Sequence, residues 1–212
     1  MQVVNSETRQ WMAGEWLSGA TLAPLVELNA QCLELVCDMA ARGHGNPAQL
    51  AVGRQIAALA PEARKELAHA PYLLVDAGFD NPMRWQGLAS WRVHDMPRDA
   101  GGPFSNSPAA SAFIRGVYVY GWHLSRAHRQ LARVVLGMTP ACARTISGLG
   151  LKDLDWACDH RQSWVTLRWE ARPQLWAQLL GAARTNDRAA MHRASLRGIQ
   201  LLGALALERK GN

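Results

Sequence analysis

The chain has no run of eighteen or so apolar residues, the length a membrane helix requires, so a transmembrane span is excluded as a reading of these 212 residues. Met1 to Glu7 also lacks the basic-then-apolar layout of a secretory signal, and the expectation is a cytoplasmic protein. The four cysteines, Cys32, Cys37, Cys142 and Cys158, form no CxxC pair and share no ligand-like spacing with histidine. Buried thiols are expected, with no metal and no cofactor. Catalytic fingerprints are missing too: there is no GxSxG, no Walker loop and no HExxH. Gly148-Leu149-Gly150 is half a dinucleotide motif, but it follows a helical pattern where that motif needs a strand. Cys158-Asp159-His160 sets three reactive types side by side, yet consecutive helical residues point about 100° apart and do not converge. A non-enzymatic protein is expected.

Acidic residues are missing from one long stretch. Between Arg115 and Lys152 there is none, while Arg115, Arg126, Arg129, Arg133, Arg144 and Lys152 are all basic. Setting those six aside leaves 17 basic against 17 acidic residues, so the formal excess of +6 matches this one stretch. Such asymmetry points to an anionic partner, nucleic acid first. Arg126, Arg129 and Arg133 follow spacings of three and four, which on one helix sets them on one face able to track phosphates. Arg144 and Arg168 join them as candidates. Arg168 alternates with Leu167 and Trp169 in an extended pattern and is expected to face solvent or a partner.

What is present is helical periodicity, punctuated by proline and glycine. Apolar residues from Leu22 to Met39 predict a first long helix, which Gly43-His44-Gly45 ends. Asn46-Pro47 and Pro61 open two short helices, ending near Leu59 and His69. Tyr72 to Val75 reads as extended, and Pro82 opens a helix with Trp85 and Leu88. The Gly, Pro, Asn and Ser of Pro97 to Pro108 read as an exposed linker. Beyond it, Phe113 to Leu136 predicts a second long helix, Thr139-Pro140 and Leu151 open two more short ones, Trp164 to Trp169 reads as extended, and Pro173 and Asn186-Asp187 open the last two.

The second series repeats the first. Arg54 falls on Arg144, Ile56 on Ile146, Leu59 on Leu149 and Phe79 on Trp169, each 90 residues on; after one inserted residue Pro82 falls on Pro173 and Leu88 on Leu179. Trp85 falls on Leu175 or Trp176. Prolines, an arginine and an aromatic keep register together, which sliding two amphipathic helices does not produce. An all-α fold of two diverged units follows: 1–97, a linker at 98–110, and 111–212, packed as an intramolecular pseudo-dimer.

From Val119 to Leu207 the chain resembles the FlhD family of flagellar transcriptional regulators. The likeness lies in a long helix ending Leu136-Gly137-Met138, the short helices around Leu149-x-Leu151 and Leu154-x-x-Ala157, the aromatic-Arg-aromatic-like Leu167-Arg168-Trp169, and the closing helix from Ala189. The first half is similar more faintly, through Glu27-Leu28-Asn29. The resemblance implies an all-α activator of transcription that binds promoter DNA together with an FlhC-like protein partner, here with two units fused in place of a homodimer. The short-helix pairs have helix-turn-helix lengths, but their second helices carry Glu62 and Glu66, or Asp153, Asp155 and Asp159, against insertion into a DNA groove. The rival expectation is a helical adaptor or assembly subunit of a secretion or motility apparatus that binds protein only. The sequence leaves self-association open.

Overall fold

The computed structural model describes residues 19–90, 102–104 and 107–208. They form an all-α fold whose strands are confined to one two-residue pair. The helices are α1 (Gly19–Ala41), α2 (Pro47–Ala57), α3 (Pro61–Ala68), α4 (Pro82–Ser90), α5 (Pro108–Ala127), α6 (Arg129–Leu136), α7 (Pro140–Gly148), α8 (Leu151–His160), α9 (Pro173–Thr185) and α10 (Arg188–Glu208). β1 (Val75–Asp76) precedes α4, and β2 (Thr166–Leu167) precedes α9. Proline at the first helical position opens α2, α3, α7 and α9, where its missing N–H costs nothing. Asn46 and Thr139 cap α2 and α7 through their side-chain oxygens, accepting from Gln49 N and Cys142 N.

A long helix, two short helices, a strand and a helix follow one another in both halves, the second adding α6 and a 3-10 turn at Gln162–Trp164, and some finer details recur. The Trp85 indole donates to Gly78 O at 2.9 Å, and the Trp176 indole donates to Arg168 O at 2.8 Å. Those two carbonyls lie 90 residues apart and the two indoles 91, so Trp85 corresponds to Trp176. Asn29 on α1 donates to the carbonyls of Ala68, Ala70 and Tyr72, while Tyr118 on α5 donates to Arg161 O. In each half the long helix thus ties down the loop after the second short helix. The antiparallel pair β1–β2 sets Asp76 opposite Thr166, its own counterpart 90 residues on.

The halves are not separate domains. One apolar core runs through both, and the packing between them is reciprocal. α9, from the second half, packs on α2 and α3; α4, from the first, packs on α7 and α8; and α1 packs on α5. Trp85 sits at the centre of this exchange, completely buried, with Phe79 stacked at 5.7 Å and Tyr118 and Trp164 edge-on at 5.6 Å. Phe79, Trp169 and Trp176 are buried as well.

Two expectations are corrected here. The second long helix is not continuous to Leu136: His128 takes φ −146 and ψ 72, its N–H closes α5 on Leu124 O, and α6 restarts beyond it. The break lets α6 bury Leu131, Ala132, Val135 and Leu136 against α7 and α10. The linker is also less exposed than its composition suggests. Phe104 is buried, edge-on to Phe113 at 5.4 Å, because an aromatic ring in a polar stretch still gains by burial. Residues 98–101 and 105–106 of that linker lie outside the described residues.

α10 has no counterpart among the described residues of the first half. It packs on α9 and α6, and Gly198 allows its close approach to Tyr72. A Cβ at Gly198 would overlap the Tyr72 hydroxyl and stand 2.5 Å from its ring, and Tyr72 is fully buried. Gly198→Ala is therefore expected to destabilise by about 1–3 kcal/mol as an overpacked contact. Gly203→Ala on the same helix, with nothing within 4 Å, should instead stabilise by up to about 1 kcal/mol. Chemical denaturation of the two variants checks this pair, and equal effects of one sign would contradict the docking.

Candidate nucleic-acid interface

The central arginines separate into three groups. Arg126, in the last turn of α5, is exposed and lies 4.7 Å over the Trp122 ring, whose indole is fixed by a bond to Leu149 O. Arg129 begins α6 and Arg144 lies on α7, both exposed. The helices α5, α6 and α7 that carry them all pack on one another, and none of the three cations has a carboxylate partner among the described residues. The helix is interrupted at His128, between Arg126 and Arg129, so Arg126, Arg129 and Arg133 do not share the one continuous helix that the spacing assumed. Arg133 is half-buried and donates to Gln130 at 2.9 Å, which withdraws it from solvent. Arg115 is paired with Asp155 and, at 3.5 Å, with Asp159.

Arg168 corrects the expectation of a solvent-facing side chain. It is 6% exposed, and its guanidinium donates to Leu73 O and Val75 O at 2.7 Å and to Leu136 O at 3.0 Å, with Asp76 3.9 Å away. Alternation failed because the two-residue strand ends at Leu167 and Trp169 turns to φ +56, so both faces of the segment are covered. Arg168 is a clamp between the halves, not an anion contact. Burial lowers its pKa, and burial raises that of Asp76 despite the opposing pull of Arg168.

The acidic residues of α8 are occupied. Asp153 accepts from Gly150 N at 2.9 Å at the helix start, and Asp155 and Asp159 hold Arg115. α8 packs on α5 and leaves Asp155 and Asp159 exposed, two acids that disfavour insertion into a DNA groove. The cysteines are free thiols, all but Cys37 buried, and burial pushes Cys142 and Cys158 up to about 11, which keeps them protonated and unreactive. No group of His, Cys, Asp and Glu among the described residues is arranged to hold a metal ion, and no described helix is long and apolar enough to cross a membrane.

The charge survey of the sequence missed a second basic region. Between Arg172 and Gln200 stand Arg172, Arg184, Arg188, Arg193 and Arg197 against one acid, Asp187. Acids of the first half together with Asp153, Asp155 and Asp159 offset them in the net total, which hid them; a running count along the chain exposes them. Comparison with family models, curated proteins and solved structures returns no match for this chain.

Proposed function

We propose that this chain is an FlhD-like, non-enzymatic regulator that binds duplex DNA, alone or with a DNA-binding protein partner. The observation that carries the reading is that the mutually packed helices α5, α6 and α7 each present an exposed arginine, Arg126, Arg129 and Arg144, with no carboxylate partner among the described residues, while the acids of α8 are held by the fold. Three such cations neutralise phosphates without reading bases. The reciprocal packing supports a pseudo-dimer produced by duplication, in which fusion replaces association of two chains. The adaptor reading draws on Met83 and Leu151, 74% and 66% exposed on α4 and α8, two helices that pack on each other.

Replacing Arg126, Arg129 and Arg144 together by alanine tests the proposal. The slope of log affinity for duplex DNA against log salt is expected to become shallower by about 2–3, since each lost phosphate contact removes about one released counterion. Stability should change little, because exposed charges contribute little to folding. An unchanged slope in a variant that still binds would remove these arginines from the interface.

A further inference from the structure

We infer that α10 is the element that enters the major groove, a step that rests on the DNA-binding reading above. Half of this helix is spent on the fold: Met191, Ala194, Ser195, Gly198 and Leu202 are buried. The other half, from Arg188 to Ala204, is open along roughly 25 Å at 1.5 Å per residue. Its exposed side chains include Arg188, His192, Arg193, Leu196, Arg197 and Gln200, with no carboxylate among them. Arginine and glutamine are the side chains that pair with guanine and adenine edges, and an exposed leucine meets a thymine methyl. The two second short helices, with their acids, lack this composition.

The one acid nearby is committed to the helix start. Asp187 Oδ1 accepts from Ala189 N at 2.9 Å and Ala190 N at 3.0 Å, and its other oxygen lies 4.0 Å from Arg193. Arg193 and Arg197 are one turn apart on the same edge, where Arg197 donates to Gln178 of α9 at 3.3 Å. A lipid surface is disfavoured as the target. The apolar face that would insert into it is already buried, and Leu196 is the one large apolar side chain exposed on the described part of α10. The groove helix adjoins one of the phosphate-binding helices directly, because α10 packs on α6, which carries Arg129.

The test is selection of binding sites by the whole chain from a pool of randomised duplex DNA. The parent is expected to enrich one motif. R193A/R197A/Q200A should keep the parent's melting temperature and hold its affinity for random duplex within about tenfold, but lose a motif preference of about tenfold to several hundredfold. R193K/R197K keeps the charge without the bidentate fork and should lose most of the same preference. Enrichment of the parent's motif by the triple variant would overturn the inference. So would a parent that binds duplex without enriching any motif, an outcome that leaves the phosphate contacts standing. A parent that binds no duplex overturns both readings.

Discussion

Arg168→Ala is expected to lower the unfolding free energy by about 3–5 kcal/mol, the range for stripping one partner from a buried charge network. The guanidinium serves three carbonyls drawn from both halves, those of Leu73, Val75 and Leu136, and its removal strands them together with Asp76. Arg168→Lys keeps the charge but offers a single ammonium in place of a planar fork, so it should recover only part of the loss. The deficit should also depend on pH. Burial already holds the Asp76 carboxyl above its ordinary range, and Arg168 is the chief group opposing that rise. Without the arginine the carboxyl rises further. A group raised on folding keeps its full contribution below its unfolded pKa and loses it as pH climbs through the folded one. The gap between Arg168→Ala and the parent should therefore be smallest in acid and widen above the usual carboxylate range. Urea denaturation across that range checks it, and a gap that shrinks as pH rises would contradict the assignment.

Trp85→Ala and Trp176→Ala should each cost about 3–5 kcal/mol, as large buried aromatics do. The informative part is the shape of the transition. Trp85 belongs to the first half, yet its ring lies against Tyr118 and Trp164 of the second, and α9, which carries Trp176, packs on α2 and α3 of the first. Each variant should therefore melt in one cooperative step at a lower temperature, with both halves losing amide protection together. A second, unshifted transition in either variant would show that the halves fold independently.

The helices were legible because their signals are local. Asn46-Pro47, Thr139-Pro140 and Pro173 carry their own start geometry, and the apolar spacing of Leu25, Cys32, Val36 and Met39 marks a buried face without knowledge of what covers it. The 90-residue register led to the expectation that Trp85, Trp176, Phe79 and Trp169 are core residues, and all four are buried. What failed depended on distant residues. Nothing at His128 announces a break, since neither glycine nor proline stands there; the turn answers to the packing of α6 on α7 and α10. Arg168 read as exposed because alternation assumes one covered face, while its partners lie 93 to 95 residues away in β1 and the segment before it. Of the five arginines picked from the sequence, Arg126, Arg129 and Arg144 are exposed, Arg133 is half-buried and Arg168 is buried. Charge counts show where cations concentrate, but not which of them the fold consumes.

The most direct measurement is the affinity of the whole parent chain for a duplex of about 25 base pairs, followed as salt is raised. With three phosphate contacts on α5, α6 and α7 and further cations on α10, log affinity should fall linearly with log salt at a slope of about −3 or steeper. A chain that binds only protein gives a different result: no measurable binding to duplex even at low salt, or weak binding whose strength is indifferent to salt. Either of these would contradict the assignment of the basic surface to DNA.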